Sequence, residues 1–329
     1  MDKPVISVVI PTFNSEKYLY EAIESVVNQS HNNLEILILD DGSSDNTIEI
    51  IKSFADVRIK LFESKVNQGQ SHQLNKGIIK ATGEYVCIMH SDDVMHVNKL
   101  ERQLIFLKNN PLIGVCGCNV QLIGEKNDIW IYPEKNQACK DLLLSSVPFA
   151  HPAVVFRKSV LSEMGFIYDQ KMVPTEDYDL WVRLANKTLF GNVQEVLLRY
   201  RIHPNQIGNT EKKKQEKLLD EIRQKMIVQL FNIDEKDSNL CFNSLYYTGQ
   251  IKAADAAKGV KVLWVSNKKK GMFSNQVLKG RLKHIIFKLL SGLNFKQRIQ
   301  YIAKNSAIFE IIFFKTMLRI LLLKRKNDD

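Results

Sequence analysis

The sequence predicts an α/β fold, with a mostly parallel sheet covered by helices on both faces and a mainly helical C-terminal region after it. In the first half, short continuous apolar runs alternate with stretches of helical periodicity, which is typical of strand–helix–strand units. The apolar runs lack the apolar–polar alternation of a half-solvated strand, so we expect both of their faces to be buried. Beyond Pro204 the pattern is almost wholly helical.

Five apolar runs are the predicted strands of the first half, at residues 5–10, 34–39, 57–62, 85–89 and 113–118. The predicted helices between them cover residues 17–28, 47–54, 71–80 and 98–108. Asp45 suits the N-cap of the second helix, and Gly83 suits the end of the third. Beyond residue 120 the elements are shorter, with a strand at 153–156 and a helix at 176–186. We therefore expect one domain over residues 1–208 and a helical region over residues 209–329.

Charge is distributed unevenly along the chain. Residues 211–329 carry 25 Lys or Arg and 11 Asp or Glu, whereas residues 1–210 carry 21 and 25. The acidic first part argues against nucleic acid as a partner, because a phosphate backbone requires a basic groove. The basic last part instead indicates an anionic surface, either a membrane or a polyanionic glycan.

The cysteines indicate the compartment. Five cysteines are an odd number, and most lie in or near apolar runs, which indicates free thiols in a reducing compartment. Cys116 and Cys118 could in principle bind a soft metal, but no His or Cys lies near them in the sequence, so a buried strand is the favoured interpretation. The first ten residues do not have the pattern of a secretory signal peptide. The expected location is the cytoplasm.

The residues that follow the first two strands bear on ligand binding, because an open parallel sheet binds ligands at the carboxyl ends of its strands. The first strand runs into Pro11, Thr12, Phe13 and Asn14 rather than a glycine-rich turn, which argues against a dinucleotide fingerprint and a P-loop. The second strand runs into Asp41, whose carboxylate could accept hydrogen bonds from a base or a ribose hydroxyl. The alternative is that Asp41 only forms a turn with the glycine after it.

The fourth strand runs into His90, Ser91, Asp92 and Asp93. Two adjacent carboxylates at the mouth of a buried strand repel one another unless they share a cation. Hard oxygen ligands favour Mg²⁺ or Mn²⁺, and such an ion would neutralise a diphosphate. The alternative is that the two acids cap a helix.

Six segments, in order, resemble the motifs of the family 2 inverting glycosyltransferases, which have the GT-A fold. They are residues 8–14 (VVIPTFN), 39–45 (LDDGSSD), 67–69 (NQG), 81–85 (ATGEY), 91–93 (SDD) and 175–184 (TEDYDLWVRL). Any one of these motifs is weak evidence, but six in order across residues 4–205 are specific.

The resemblance implies a nucleotide diphosphate-sugar donor, with a UDP-sugar favoured, a divalent metal ion (Mn²⁺ or Mg²⁺), and a glycan or lipid-linked acceptor. The metal ligands would be Asp92 and Asp93, with His203 as a third candidate on a segment that folds over the donor. The residues implied to line the nucleotide site are Pro11, Thr12, Phe13, Asn14, Asp41, Asn67, Gly69, Ser91 and Asp92.

The resemblance also implies that Asp177 is the base that deprotonates the acceptor hydroxyl. The reaction would be a single displacement with inversion at the anomeric carbon. We expect Glu176 and an apolar helix behind it to raise the pKa of Asp177. The alternative is that Glu176 and Asp177 form a solvated first helical turn, favoured by the helix dipole.

Glu176 and three further side chains are candidates for the acceptor side or for support of the site. The family commonly has Asp-x-Asp-Asp at the metal strand, and here His90 takes the first position, where it could ligate the metal or bind the nucleotide. His151 begins a segment that resembles the acceptor side of the family, with a structural role as the alternative. Trp181 is interpreted as core rather than as a platform for sugar.

The C-terminal region has the composition of a membrane-surface segment. Residues 256–326 hold 17 Lys or Arg and one acid, and the apolar stretch 308–323 is interrupted by charges every four or five residues. Such a helix fits the interface of an anionic bilayer rather than a transmembrane span. We therefore expect a peripheral protein on the inner face of the cell membrane, with a role in bacterial surface polysaccharide synthesis as a hypothesis. The alternative is packing on the catalytic domain or in a homo-oligomer.

Two other functions compete with sugar transfer. A nucleotidyltransferase shares the general fold but requires a glycine-rich basic loop after the first strand, which the segment 11–14 does not supply. A non-catalytic nucleotide-sugar-binding or scaffold protein would explain His90, but Asp92, Asp93 and Asp177 argue against it.

Overall fold

The structure is a computed structural model, and it describes residues 5–164, 167–204, 212–246, 251–291 and 295–304. Its packing divides the chain into two compact units, residues 1–219 and 220–329, which are described separately below. The first unit contains a nine-stranded sheet with the order β3-β2-β1-β4-β8-β6-β9-β5, and β7 pairs with β6 outside this order.

The elements follow one another along the chain with these bounds. The strands are β1 Ile6–Thr12, β2 Leu34–Asp40, β3 Ile59–Glu63, β4 Tyr85–Ile88, β5 Val94–Met95, β6 Ile113–Gly124, β7 Ile129–Trp130, β8 Val155–Arg157 and β9 Leu189–Ile202. The helices are α1 Leu19–Val27, α2 Thr47–Ser53, α3 Gln70–Lys80, α4 Lys99–Asn109, α5 Asn136–Leu142, α6 Lys158–Ser162, α7 Glu176–Leu184, α8 Lys212–Phe231, α9 Glu235–Tyr246, α10 Ala253–Lys270, α11 Asn275–Ser291 and α12 Phe295–Lys304.

The first half of the sheet is parallel, as the alternation of apolar runs predicts. Strand β1 runs parallel to β2 and β4, and β2 runs parallel to β3. Every residue of β1 and β2 is buried, which agrees with strands covered on both faces. The predicted α/β fold is confirmed.

The second half of the sheet is mixed. Strand β8 pairs antiparallel with β4 and β6, whereas β9 runs parallel to β6 along most of its length. The predicted strand 113–118 extends to Gly124 in β6. No strand was predicted over β9, where the exposed stretch 194–196 interrupts the buried residues.

Helix α3 lies directly on the sheet, and this contact positions the loop before it. A Cβ on Gly77 would lie 2.4 Å from Cγ1 of Val9, so only glycine allows this approach of helix to strand. The N-cap of α2 is Asn46, one residue after the predicted Asp45, although Oδ1 of Asp45 accepts the backbone N–H of Thr47 at 3.0 Å. The helix predicted over residues 71–80 spans Gln70–Lys80, and its C-cap is Ala81 rather than the predicted Gly83.

All of the regular elements in the described residues of the second unit are helices, as predicted. Buried apolar side chains of α9, α10 and α11 form its interior, among them Leu245, Val260, Leu263 and Leu282. No helix in the described residues is long and apolar enough to cross a membrane. The segment 308–323, interpreted above as an interfacial helix, lies outside the described residues.

Candidate active site

The loops after β1 and β2 meet at the carboxyl edge of the sheet and are tied together by hydrogen bonds. The backbone N–H of Asn14 donates to Oγ of Ser43 at 2.9 Å, and the N–H of Ser44 donates to Oδ1 of Asn14 at 2.9 Å. Asn14 has a φ of 46°, a left-handed conformation that asparagine tolerates better than most residues. Pro11 and Thr12 are buried at the end of β1, whereas Phe13 is 47% exposed. The ring of Phe13 is therefore exposed at this edge of the sheet.

Asp41 holds the loop before α3. Its Oδ2 accepts the N–H of Gly69 at 2.7 Å, and its Oδ1 accepts the N–H of Gln68 at 2.9 Å and the side-chain amide of Gln73 at 2.5 Å. Oδ1 of Asn67 also accepts the Gly69 N–H, at 3.2 Å. Gly69 has a φ of 89°, which favours glycine at this turn into the helix. Three of the sequence-predicted residues are thus joined in one network.

His90, Asp92 and Asp93 form an acidic cluster after β4, with ligand atoms that all lie within 4.8 Å of one another. Asp93 is 1% exposed, and its Oδ1 accepts the backbone N–H of Arg201 at 2.8 Å. Its Oδ2 is buried without a hydrogen-bond partner. Burial, with a further contribution from the charge of Asp92, raises the pKa of Asp93 well above its ordinary value.

His203 lies at the same cluster. Its Nε2 is 2.9 Å from Oδ2 of Asp92, and its ring stacks at a tilt against Tyr18 with 5.5 Å between centroids. The cluster could hold a divalent cation, because an unpartnered carboxylate oxygen lies beside a second carboxylate and two imidazole rings, all of which can act as ligands.

On the side away from Asp93, the His90 ring contacts a series of polar side chains. Its Nε2 lies 2.8 Å from Nδ1 of His151, and Nε2 of His151 lies 2.8 Å from the hydroxyl of Tyr168. Gln70 approaches the same His90 nitrogen at 3.3 Å. The other nitrogen, Nδ1, lies 3.8 Å from Oδ2 of Asp93 and faces the cluster. Burial lowers the pKa of both histidines, so both rings are neutral near pH 7.

Glu176 and Asp177 begin α7. Oδ1 of Asp177 accepts the backbone N–H of Tyr178 at 2.7 Å, and burial raises the pKa of Asp177 to about 6. Burial, followed by the charge of Asp177, raises the pKa of Glu176 to about 7. The sequence predicts that Glu176 and the apolar helix both raise the pKa of Asp177. Burial does raise it, whereas the charge interaction within the pair raises the pKa of Glu176 instead.

Trp181 is fully buried and packs within the core. Its ring stacks on Phe156 at 5.7 Å and 18°, and meets Phe149 edge-on at 5.0 Å. The His151 ring lies 6.4 Å from it. Trp181 is therefore part of the core that packs beside His151.

Four residues at the site were missed by sequence reasoning. Burial raises the pKa of the Tyr132 and Tyr200 phenols, and the neighbouring carboxylate of Asp177 raises both further. For Tyr200 the charges of Asp93 and Asp92 contribute more than that of Asp177, so this phenol lies within range of the charges of both the acidic cluster and Asp177. Tyr200 and Arg201 lie three and two residues before His203, and this nearness in the sequence is the signal that could have identified them. The other two missed residues, Tyr132 and Tyr168, carried no such signal.

Comparisons with known proteins agree with this arrangement. The sequence model described as "Glycosyl transferase family 2" matches residues 7–165. An uncharacterized glycosyltransferase of Methanocaldococcus jannaschii is 34% identical over 227 residues, which cover 66% of this chain and 77% of the relative. An uncharacterized glycosyltransferase of Haemophilus influenzae is 29% identical over 243 residues, covering 70% of this chain and 75% of the relative.

Solved structures share the fold at low sequence identity. The crystal structure of S. aureus TarS 1–349 in complex with UDP-GlcNAc matches with a TM-score of 0.60 and 15% identity, over 96% of this chain and 90% of TarS 1–349. The Pyrobaculum calidifontis mannosyltransferase PcManGT, in complex with GDP-Man and Mn²⁺, matches with a TM-score of 0.51 and 16% identity, over 97% of this chain and 85% of PcManGT. The chain spans 51% of the longer TarS chain. The ordered motifs, the mixed sheet and these relatives lead to one conclusion: the chain belongs to glycosyl transferase family 2.

Proposed function

We propose that this protein is an inverting glycosyltransferase that moves a sugar from a nucleotide diphosphate-sugar to a hydroxyl group of a glycan or lipid-linked acceptor. The observation that carries the proposal is a pair of acidic sites of different character, whose charges both raise the pKa of Tyr200. On one side, Asp92 and Asp93 form a cluster suited to a cation. On the other, Asp177 is a separate carboxyl group whose pKa of about 6 suits a base at neutral pH.

The donor half of the proposal rests on the loops at the carboxyl edge of the sheet. Phe13 offers an exposed ring on which a base could stack, and Asp41 ties down the loop at 67–69 that borders the same edge. A UDP-sugar is favoured as the donor, because TarS, which has a similar fold, has been crystallised with UDP-GlcNAc.

The metal in this proposal is Mn²⁺ or Mg²⁺, held by Asp92 and Asp93 with His203 and His90 beside them. The unpartnered Oδ2 of Asp93 is the atom that most requires such a partner. When bound, the ion would neutralise the charge that develops on the leaving diphosphate.

Asp177 accepts the proton of the attacking hydroxyl in this mechanism. Its Oδ1 already accepts the N–H of Tyr178, so Oδ2 is the oxygen that receives the proton. The acceptor oxygen forms its bond to the anomeric carbon as the bond from that carbon to the diphosphate oxygen breaks on the opposite face, and the configuration inverts. No covalent intermediate on the protein is required.

The test measures turnover of a panel of nucleotide-sugars with Mn²⁺ and a membrane extract as acceptor source. Asp177→Asn should lower transfer by at least about a thousandfold, because the amide cannot accept the proton. Glu176→Gln is the matched control and should retain most of the activity, since Glu176 is already partly neutral at pH 7. NMR of the product should show the inverted anomer.

Three outcomes would contradict parts of the proposal. Donor binding without turnover of any nucleotide-sugar would favour the binding or scaffold function. Release of diphosphate from a nucleoside triphosphate and a sugar phosphate would favour a nucleotidyltransferase. Transfer by Asp177→Asn within tenfold of wild type would show that another group is the base.

The proposal also places the protein in the cytoplasm, at the inner face of the cell membrane, where a lipid-linked acceptor of surface polysaccharide synthesis would be available. Its support is the excess of basic residues in the stretch 256–326. Full-length protein should float with anionic liposomes, and Lys315→Glu with Arg319→Glu should abolish flotation. The matched control, Lys126→Glu with Lys135→Glu, adds the same charge at exposed positions of the first unit. A dimer that is lost in the Lys315 and Arg319 variant, with no liposome binding by wild type, would instead assign the segment to a homo-oligomer.

A further inference from the structure

Strand β7 presents a tryptophan to solvent near the candidate site. Trp130 is 40% exposed, and its neighbours Ile129 and Ile131 are 53% and 75% exposed. The strand is two residues long and pairs only with β6 among the described strands. These neighbouring side chains leave apolar surface in contact with water. A contiguous exposed apolar patch of this kind is typical of a binding surface.

Trp130 is connected to the candidate site by a ring contact with Tyr200. The two rings lie 5.5 Å apart, at 38°. Val120 of β6 pairs with Trp130 on one side and with Leu198 on the other. Tyr200 lies two residues beyond Leu198 and therefore on the same face of the sheet.

Residues next to Trp130 and Tyr200 in the sequence connect this face to the acidic side chains of the candidate site. The residue after Tyr200 donates its backbone N–H to Oδ1 of Asp93 at 2.8 Å. Tyr132, two residues beyond Trp130, is buried, and the charge of Asp177 contributes to its raised pKa. An exposed indole thus packs against Tyr200, whose neighbour Arg201 contacts Asp93 and whose pKa is raised in part by the charge of Asp177.

We propose that Trp130 is the platform on which a sugar ring of the acceptor stacks, so that the acceptor is a carbohydrate rather than a bare lipid or a protein side chain. The inference rests on the proposed function and narrows its acceptor class. The face of a sugar ring carries C–H groups that pack on an aromatic face, while its rim of hydroxyls stays free to hydrogen-bond. A sugar seated on Trp130 and Tyr200 would direct a hydroxyl toward Asp177.

A membrane surface is the main competing occupant of this patch. Side chains that insert into a bilayer must point in one direction, whereas successive residues of a strand point to opposite faces. Ile129 and Trp130 are the two successive residues of β7, so their side chains point to opposite faces, and Trp130 faces Tyr200. The geometry favours a ligand that approaches from the site.

The test compares acceptor kinetics in the full-length protein with p-nitrophenyl glycosides of common hexoses and N-acetylhexosamines as probes. Trp130→Ala should raise KM for the glycoside about tenfold, the effect of losing one aromatic stacking contact, while KM for the donor stays within about twofold. Trp130→Phe should restore most of the acceptor affinity. Ile131→Ala is the matched control, since it removes more exposed apolar surface from the adjacent position, and it should leave both KM values near those of wild type.

Several results would overturn the inference. They are equal acceptor KM values for Trp130→Ala and wild type, transfer only to acceptors without a sugar, failure of every glycoside as acceptor, or loss of vesicle binding in Trp130→Ala. Turnover of the donor by wild type separates these results from failure of the proposed function: without any turnover, the proposed function itself is wrong. Thermal melting of each variant distinguishes a lost contact from a lost fold.

Discussion

Nε2 of His90 lies 2.8 Å from Nδ1 of His151, and this contact turns the other nitrogen of His90 toward Asp93. The motif that the sequence resembles has an acid at the position of His90, so the resemblance implies that a neutral ring, in contact with His151, takes the place of one carboxylate of the cluster. His151 is in turn held by the hydroxyl of Tyr168. A substitution at His90 therefore alters both the charge of the cluster and the support behind it.

His90→Asp should make the protein more dependent on a metal. A third carboxylate would repel Asp92 and Asp93, and the bond to His151 would be lost, so the melting temperature in EDTA should fall by about 3–6 °C. Mn²⁺ should restore most of this loss, giving a larger metal-induced shift than in wild type. His90→Asn loses the ring without adding charge and should show no enlarged shift. Equal shifts in all three proteins would contradict a metal at this cluster.

The rate of sugar transfer should depend on the ionisation of Asp177. Since burial raises its pKa to about 6, the base is ionised at pH 7 and above and becomes protonated below pH 6. We expect kcat/KM to fall about tenfold per pH unit below that value. A pH profile at fixed Mn²⁺ measures this limb, and a flat profile between pH 7 and pH 5 would argue against Asp177 as the base.

Asp177→Asn should stabilise the fold while it abolishes transfer. The folded pKa of about 6 exceeds the ordinary value of 3.8, so the folded state binds the proton more tightly, and the ionised carboxylate costs stability above pH 6. The variant should therefore melt about 2–4 °C above wild type at pH 8, and the difference should vanish below about pH 4, where the carboxyl is protonated in both states. Asp179→Asn is the control on the same helix. Asp179 accepts a hydrogen bond from Nε of Arg183 at 2.7 Å, so its loss should destabilise at pH 8.

Arg201 should matter for the metal cluster, and Arg199 should not. Both pair with Glu21, but Arg201 also donates from Nε to the carbonyl of Asp92 at 2.8 Å and is 14% exposed at its side chain, against 51% for Arg199. Arg201→Ala should raise the Mn²⁺ concentration for half-maximal turnover about tenfold, because the peptide that carries Asp92 loses its partner. Arg199→Ala should change melting and turnover little, as expected for an exposed ion pair. Equal effects of the two variants would contradict the role given to Arg201.

Much of the first half of the fold could be predicted because its signals are local. Strands β1 and β2 are buried on both faces, and their apolar runs are continuous in the sequence. The residues after each strand end could be assigned to one edge because parallel strands have their carboxyl ends on the same side. Strand β9 could not be predicted in this way: its buried residues are interrupted at 194–196, and most of its pairing is with β6, about 75 residues earlier.

The sequence by itself determined which groups are available for chemistry: Asp92 and Asp93 after one strand, Asp177 at the start of a helix, and the loops at residues 11–14 and 67–69. Only the tertiary structure decided how these groups behave. Burial, a property of the whole fold, raises the pKa of Asp177, and the long pairing of β6 with β9 brings Tyr200 and Arg201 to Asp93. His90 and His151 are 61 residues apart, so their contact depends on the path of the chain between them. Side-chain type is a local property, whereas desolvation and contact depend on elements that are distant in the sequence.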